Sequence, residues 1–564
     1  MSQRKHQKSQ APTEIVDHVA SLFVDLAKLS ETHDYADINF VVGGKSFPCH
    51  KVILAARSEY FRALLYGRMK ESQPGTTEIE LKDTPTFAFS AFLKYIYTGR
   101  INLKDYQEED LLDILSLSHR FIFMELESSV SDYLKSIVSI HNVCPIFDLA
   151  NIYNLTSLCN VCEDYMDTHT QEVLNSESFL FLSQISARDV ISRDSFCASE
   201  MDIFKAVNKW AVYNKDQDPV PILEAVRLHL MQLHELVYVR DTGLMSSDSI
   251  LESIGRQTKI GGILLNYRGY KVMDENIALA SLGASVIQGE MKAALLSGNT
   301  HCFDRDYTHH LLDDNTRKGI VIRLGKLYII NTIKLHLLEK DARSHSYYIE
   351  VSADDKDYER VIDHTQYLCR SWQKLRFPAR VVRYIKVVGT LSTVSRSFHL
   401  VSFQCYYTSL PFHLEQGLIV PTENVATVQN GAYVINGQSA FPNTLINGNT
   451  RNYDGNSGYT YHKLGDGAIC IQLGQPYVLS TMRLLLYDRD DRSYSFYIEV
   501  STDKQKWTRV VDKQNELCKS WQTFAFDQIP VTFIRIVGTH NTANADFHCV
   551  HFETPANAAV GSAV

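Results

Sequence analysis

Long apolar runs and blocks of positive charge are both scarce in this sequence. The 564 residues contain no run of about 18 apolar residues, the length an apolar helix needs to cross a bilayer, so no membrane segment is expected. The polar start, MSQRKHQKSQAPTE, has no apolar segment and does not predict a secretory signal. Beyond Arg4–Lys8 no Lys/Arg block occurs, and the net charge is −9. Nucleic acid is therefore not expected as the main ligand, because binding phosphates requires clustered positive charge.

Cysteines are present, but without the spacing of a disulfide framework. The eleven cysteines are an odd number spread over the whole chain. This distribution is typical of free thiols in a reducing compartment, so we expect a cytosolic or nuclear protein and assign it to the cytoplasm. Cys159-x-x-Cys162 has metal-site or redox spacing, but no second Cys or His pair completes a zinc site. Two buried thiols are the preferred interpretation.

Catalytic motifs are also missing. The sequence has no Walker loop, no GxSxG and no recognisable pair of catalytic carboxylates. We therefore predict a protein that is not an enzyme, with no catalytic residue, no metal and no cofactor.

The second half of the chain contains a duplication. Residues 341–352 read DARSHSYYIEVS and residues 490–501 read DDRSYSFYIEVS, an offset of 149 residues. The same register aligns Cys369 with Cys518, Trp372 with Trp521, Gly389 with Gly538, Phe398 with Phe547, His399 with His548 and Phe403 with Phe552. The repeated unit covers residues 275–407 and 423–555, which is the size of a domain.

Each repeat has the pattern of a β domain. Runs rich in β-branched and aromatic residues, such as Ile320–Leu324, Ile329–Leu337 and Arg383–Val388, alternate with polar turns and favour a sandwich. The segments RSYSFYIEVSTDKQKW (492–507), CKSWQ (518–522), FIRIVGT (533–539) and FHCVHFE (547–553) resemble discoidin, or coagulation-factor type C, domains. That resemblance implies an all-β, galactose-binding-like sandwich for each repeat.

The discoidin resemblance also implies that ligands are held by loops at one end of each sandwich. These loops correspond to residues 303–318, 340–346 and 391–397 in the first repeat and to residues 451–466, 488–494 and 540–546 in the second. The candidate ligand residues are Asp341, Arg343, Asp490 and Arg492. Each arginine can pair with an acidic group of a target, or it can clamp the aspartate two residues before it. Neither repeat has the terminal cysteine pair that secreted members use, which fits an intracellular setting.

The first half of the chain resembles the BTB/POZ domain over residues 14–135. Asp37–Val42 alternates and meets Gly43-Gly44, a two-residue hairpin signal, and Ser58 can cap the following helix. The motifs that carry the resemblance are DINF (37–40), FPCHK (47–51) and LAARSEYF (54–61). An α/β BTB fold is therefore implied.

Two contacts follow from the BTB resemblance. The N-terminal helix of such domains forms a two-fold dimer, which assigns the apolar stripe Ile15, Val19, Leu22 and Leu26 to the homodimer seam; an ordinary core-facing helix is the alternative. Members that bind cullin-3 carry an apolar-x-Glu signature before the mid-domain strand, and Met69-Lys70-Glu71 occupies that place. A solvated helix end is the alternative for these three residues.

Residues 136–255 have helical signals throughout. Ser199-x-x-Asp202 predicts a helix start, and DIFKAVNKWAVYN (202–214) resembles the all-α BACK domain that follows BTB in cullin adaptors. Residues 256–273 are expected to be a linker.

This order predicts a multidomain adaptor. The implied function is substrate recognition for a cullin-3 RING ubiquitin ligase: BTB and BACK dimerise and bind cullin-3, and the discoidin-like domains bind a protein substrate whose identity the sequence does not give. The alternative is a cullin-independent dimeric scaffold that gathers proteins or glycans through the sandwiches.

Overall fold

The protein is described by a computed structural model that covers residues 19–68, 73, 75–258, 266–293, 295–296, 307–312, 318–341, 343–454 and 457–556. These residues fall into two compact units. The first comprises residues up to 192 together with 198–226 and 237–245, and the second comprises 193–197, 227–236 and the residues from 246 onward. The predicted fold class is confirmed: an α/β segment and a helical segment precede two all-β sandwiches.

The α/β segment is built around a small mixed sheet. Its elements are α1 (Val19–Thr32), β1 (Ile38–Val42), β2 (Lys45–Cys49), α2 (Lys51–Arg57), α3 (Glu59–Tyr66), β3 (Glu78–Glu80), α4 (Thr86–Thr98), α5 (Glu108–Arg120) and α6 (Met124–Ser136). β1 pairs antiparallel with β2 and parallel with β3. The hairpin turn has φ of 56° at Gly43 and 78° at Gly44, the left-handed geometry that the two glycines predict.

Aromatic packing fills the core of this segment. The ring of Phe121 lies 5.0 Å from that of Phe61 and 5.3 Å from that of Phe92, and all three residues are fully buried. The Ser58 hydroxyl caps α3 by accepting from the Phe61 N–H, as the sequence predicts. The cap therefore fixes the start of the helix that carries Phe61 into the core.

The helical segment confirms the predicted cap and one of the two predicted buried thiols. Its elements are α7 (Val143–Ile152), α8 (Thr156–Thr168), α9 (Thr170–Asn175), α10 (Gln184–Ser192), α11 (Glu200–Tyr213), α12 (Val220–Leu223), α13 (Leu233–Asp241) and α14 (Ser247–Thr258). Ser199 accepts from the Asp202 N–H at the start of α11. Cys159 and Cys162 lie on α8 and neither is in a disulfide. Cys162 is fully buried but Cys159 is only half-buried, so the prediction of two buried thiols is correct for Cys162 alone.

The first sandwich is organised around two long strands. Its strands are β4 (Tyr270–Lys271), β5 (Ser285–Gln288), β6 (Thr308–Leu311), β7 (Ile320–Leu337), β8 (His345–Ser352), β9 (Glu359–Cys369), β10 (Trp372–Ser392) and β11 (Ser397–Tyr406). They pair in the order β6-β11-β7-β10-β8-β9, and β4 and β5 also pair with β7. The predicted linker is wrong at its end, since Tyr270 and Lys271 pair with Tyr328 and Ile329 of β7.

The second sandwich repeats this topology. Its strands are β12 (His413–Glu415), β13 (Leu418–Val420), β14 (Tyr433–Asn436), β15 (Gln438–Ser439), β16 (Thr460–Lys463), β17 (Ile469–Leu486), β18 (Tyr494–Ser501), β19 (Thr508–Cys518), β20 (Trp521–Asn541) and β21 (Asp546–Glu553). Its central order, β16-β21-β17-β20-β18-β19, matches the first sandwich strand for strand. Each sandwich has its own apolar core, and Cys369 and Cys518 are buried in equivalent places.

A glycine–histidine contact recurs in both sandwiches. The Gly389 N–H donates to His310 Nε2 at 2.9 Å, and the Gly538 N–H donates to His462 Nε2 at the same distance. A Cβ at Gly389 would overlap the ring of Phe398. Only glycine therefore fits this position, which explains why it is shared by the two repeats.

The two sandwiches are joined by a polar clasp. The Gly474 carbonyl accepts from the Arg370 N–H at 2.9 Å and from Gln373 Nε2 at 2.7 Å. The Gln475 carboxamide pairs with the backbone of Lys374, accepting from its N–H at 2.6 Å and donating to its carbonyl at 3.0 Å. Gln373 and Gln475 are both buried, so their loss would leave buried polar groups without partners. The clasp therefore holds the two sandwiches together.

Candidate ligand pocket and adaptor surfaces

An open cavity of about 600 Å³ lies at the loop end of the second sandwich. It is lined by Gln438, Ser439, Ala440, Tyr459, Tyr461, Tyr487, Arg492, Asn544, Asp546 and His548. The loops 451–466, 488–494 and 540–546 all contribute, in the arrangement that the discoidin resemblance implies. Pairing of β16 with β21 places Tyr461 opposite His548 and so fixes one wall.

Aromatic rings form that wall. The His548 ring lies 5.0 Å from Tyr459 in an edge-on arrangement and is stacked with Tyr461 at 5.7 Å. Tyr459 also meets Tyr487 edge-on at 5.6 Å. Such packing restricts ring rotation and combines apolar faces with polar tips, the mixture that is enriched where proteins bind partners.

Arg492 is fixed by its own loop. Its Nε and Nη2 donate to Asp490 Oδ1 and Oδ2 at 2.7 and 2.5 Å, and its guanidinium lies 4.7 Å from the centre of the Tyr487 ring. Hydrogen bonding from Arg492 lowers the pKa of Asp490. Of the two roles left open by the sequence, the structure contains the intramolecular clamp.

Arg343 makes the same clamp in the first sandwich. Its Nε and Nη2 each donate to an oxygen of Asp341 at 2.7 Å. Hydrogen bonding from Arg343 lowers the pKa of Asp341 to about 2. The clamp is therefore part of the repeated framework and does not distinguish the two sandwiches.

His548 is a neutral acceptor in the pocket. Its Nδ1 lies 3.3 Å from the Tyr494 hydroxyl and 3.5 Å from Arg492 Nη1. Burial, reinforced by the nearby Arg492 charge, lowers its pKa. Because Asp490 balances Arg492 and Asp546 adds a carboxylate, the lining has no excess of positive charge. The pocket thus favours polar or basic groups of a partner over acidic ones.

The corresponding end of the first sandwich is built differently. His309 stacks on His399 at 5.1 Å, where the second sandwich stacks Tyr461 on His548. Burial, followed by the charges of His309 and Arg343, lowers the pKa of His399 to about 4. Parts of the predicted loop 303–318 lie outside the described residues, which include 307–312 and 318.

The pocket includes residues that the sequence reasoning missed. Gln438–Ala440 and Tyr487 lie outside the three loops implied by the resemblance. Tyr459 and Tyr461 lie inside one of them but were not singled out. Their signal was the local tyrosine density of YDGNSGYTYHK (453–463).

The predicted adaptor residues are only partly described. Met69, Lys70, Glu71 and Ile15 lie outside the described residues, and so does the side chain of Leu22. On α1, Val19 is 54% exposed and Leu26 is half-buried. α1 packs against α4, so one face of the helix is covered within the chain.

The described residues contain neither a candidate metal site nor a helix that could span a membrane. No group of three His, Cys, Asp or Glu side chains among these residues could hold a metal ion. None of the described helices is both long and apolar enough to span a bilayer.

Three families match segments of the chain. The BTB/POZ domain family matches residues 26–138, the BACK (BTB And C-terminal Kelch) family matches residues 143–240, and the F5/8 type C domain family matches residues 429–551. The solved BTB domain of human gigaxonin is 25% identical and covers 23% of this chain and 100% of its own, with a TM-score of 0.18.

Full-length relatives extend the similarity over the whole chain. BTB/POZ domain-containing protein 9 of Homo sapiens is 54% identical over 543 residues, covering 96% of this chain and 89% of that protein. The Drosophila melanogaster protein of the same name is 44% identical over 98% of this chain and 76% of that protein. Kelch-like protein 3 of Homo sapiens is 30% identical over 56% of this chain and 55% of that protein. Because the similarity runs through the BTB, BACK and discoidin-like segments alike, the chain belongs to the BTB/POZ domain-containing protein 9 family.

Proposed function

We propose that this chain is a substrate-recognition adaptor of a cullin-3 RING ubiquitin ligase. The BTB–BACK pair is of adaptor type, and a Kelch-like protein is similar over 326 residues. The observation that carries the proposal is the joining of this pair to a tandem of β sandwiches, one of which has an open, ring-lined pocket. None of the described cysteines is in a disulfide, which supports a cytoplasmic location.

The chemistry of such an adaptor is proximity. The sandwiches hold a target protein while BTB and BACK hold the ligase, so ubiquitin transfer becomes effectively intramolecular. Positioning of this kind raises the effective concentration of the reacting groups without any catalytic residue in the adaptor. The clasp between the sandwiches limits how far a target bound to the second can move relative to the first.

Dimerisation through α1 is part of the proposal. Val19, one of the residues assigned to the seam, is 54% exposed on this helix, and an exposed apolar side chain is what an isologous contact would cover. Light scattering on the full chain tests it: Val19→Glu should shift the mass from dimer to monomer. A mass that stays dimeric would assign α1 to a role within one protomer.

Calorimetry of the full chain against the cullin-3 N-terminal domain tests ligase binding. Met69→Ala/Glu71→Ala should weaken binding at least tenfold, because an apolar anchor and a charge-assisted hydrogen bond are both lost. Lys205→Ala, on the exposed side of α11, is the matched control and should bind like the wild type. Absence of binding by a folded chain would overturn the ligase assignment.

The alternative is a cullin-independent scaffold, and the tyrosine-rich, uncharged character of the pocket wall is the observation that favours it. Glycan-array binding that survives Met69→Ala/Glu71→Ala, without target ubiquitination, would select the scaffold. Target capture that is lost in Tyr461→Ala but retained in His309→Ala would locate recognition in the second sandwich under either function.

A further inference from the structure

The clasp uses a surface that the second sandwich also possesses but that no described strand of the chain covers there. In the first sandwich this surface is the turn after β9 and the first residues of β10, which dock on Gly474 and Gln475. The repeat register places its counterpart at the turn after β19 and at Trp521–Ala525 of β20. We refer to residues 519–525 as the open edge.

The turn at the open edge has the same conformation as the docked one. Gln522 Nε2 donates to the Lys519 and Trp521 carbonyls at 3.0 Å, just as Gln373 Nε2 donates to the Arg370 carbonyl at 2.8 Å. Ser520 has a φ of 61°, and its counterpart Ser371 has a φ of 59°. The second sandwich therefore already holds its glutamine and its turn in the conformation with which the first sandwich donates hydrogen bonds to the Gly474 carbonyl.

Backbone groups at the open edge point in the same direction as those of the docked edge. Thr523 pairs with Arg483 of β17 in the register in which Lys374 pairs with Lys334 of β7. The N–H and C=O of Lys374 face away from β7 and bond Gln475, so those of Thr523 face away from β17. Among the described strands, none pairs with this outer side of Trp521–Ala525. An unpaired strand edge of this kind is a template for another chain.

Exposure also separates the two edges. Leu375 and Phe377 of the docked sandwich are 1% exposed, whereas their counterparts Phe524 and Phe526 are only partly buried. At the same place Leu517 is 66% exposed and Trp521 is 39% exposed. The open edge thus combines unused hydrogen-bonding groups with accessible apolar surface.

We propose that the open edge is a protein-docking site for an extended segment that presents a small residue followed by glutamine. The carbonyl of the small residue would accept from the Lys519 N–H and from Gln522 Nε2. The glutamine carboxamide would pair with the N–H and C=O of Thr523, and the flanking residues would cover Trp521. These hydrogen bonds are the same as those that Gly474 and Gln475 make with the first sandwich.

A partner protein fits this edge better than a second copy of the chain does. The Gly474–Gln475 segment of every copy is already held in its own clasp. The equivalent segment of the first sandwich is Gly325–Lys326, and a lysine ammonium cannot accept from the Thr523 N–H. The docking site is separate from the ring-lined pocket. It rests on the proposed function in one respect, which is that the bound segment would belong to the target protein.

A fluorescent peptide, IQLGQPYVL (residues 471–479), titrated into the full chain tests the site by anisotropy. We expect saturable binding that weakens at least tenfold when the glutamine at position 475 of the peptide is alanine. Gln522→Ala in the chain should weaken it to the same extent, and Gln505→Ala, in an exposed turn of the same sandwich, should not. An unchanged melting temperature in both variants confirms that the fold is retained.

Three results would overturn the proposal: no saturable binding, equal binding of the alanine peptide, or binding that is insensitive to Gln522→Ala. Concentration-dependent self-association that Gln522→Ala abolishes would instead make a second copy the occupant and also overturn it. Calorimetry with cullin-3 on the same preparations tests the proposed function independently of the peptide. A failed peptide titration with intact cullin binding would thus reject only the docking site.

Discussion

The two sandwiches differ far more at their loop ends than in their frameworks. Strand order, the Arg–Asp clamps and the buried glycine against a phenylalanine ring are common to both. The changes at the loop end include three that introduce a tyrosine in the second sandwich: His309 to Tyr461, Leu338 to Tyr487 and His345 to Tyr494. In this duplicated domain packing fixes the framework, whereas the loop ends are free to acquire a new ligand.

The largest loss of stability is expected at the glycine that both frameworks pack against a phenylalanine ring. Gly389→Ala places a Cβ inside the Phe398 ring, so it should lower the free energy of unfolding by about 3 kcal/mol. Gly538→Ala should have a similar effect through Phe547. Thermal unfolding measures both, and Gly255→Ala is the control, since its Cβ meets open space on α14. A tolerated alanine at either site would contradict the close-packing explanation.

A smaller loss of stability is expected at the clasp, and it should differ between the two equivalent glutamines. Gln373→Ala removes the donor to Gly474 and the acceptor of the Tyr347 hydroxyl, all of them buried, and should lower the unfolding free energy by about 2 to 3 kcal/mol. Its counterpart Gln522→Ala loses bonds only within its own turn and should cost less than about 0.5 kcal/mol. Denaturant titration of the two variants compares them directly. Equal losses would mean that the clasp contributes little.

The smallest effect is a difference in acid sensitivity. Burial lowers the pKa of His345 to about 4 and that of His364 to about 3, both in the first sandwich. The unfolded imidazoles take up protons near pH 6.5, so the unfolded state binds more protons as the pH falls. The free energy of unfolding is therefore highest above pH 6.5 and falls as the pH is lowered toward 4. His345 alone accounts for a loss of about 2 kcal/mol between pH 7 and pH 5.

The matched variant for acid sensitivity is His345→Tyr, which introduces the residue of the second sandwich. Melting temperatures at pH 7 and pH 5 should differ less in this variant than in the wild type. A variant with the full acid sensitivity of the wild type would assign the loss to other groups, His364 first among them.

Local features of the fold were predictable because they depend on neighbouring residues. The Gly43-Gly44 hairpin, the Ser58 and Ser199 caps and the termination of α4 at Gly99, with its φ of 63°, each follow from one or two side chains. The sandwiches were predictable for a different reason. The duplication presents the same pattern of strands and turns twice, so each repeat supports the assignment of the other.

Features that depend on distant partners were not predictable. β7 was expected as two strands, Ile320–Leu324 and Ile329–Leu337, but pairing with β10 on both sides of Gly325 makes it one. Nothing adjacent to Gln475 in the sequence signals a bond to Lys374, which lies 101 residues earlier. Tyr487 lies just beyond β17 and lines the pocket, although none of the loops implied by the resemblance includes it.

The distance along the chain between the two halves of the clasp has a consequence for protein synthesis. Gln373 leaves the ribosome 101 residues before Gly474, the carbonyl that covers it. At elongation rates of roughly 5 to 20 residues per second, the start of β10 in the first sandwich remains uncovered for on the order of 5 to 20 s. During that interval the nascent chain exposes the backbone edge that the clasp covers in the finished protein, and unpaired edges of this kind are prone to aggregate.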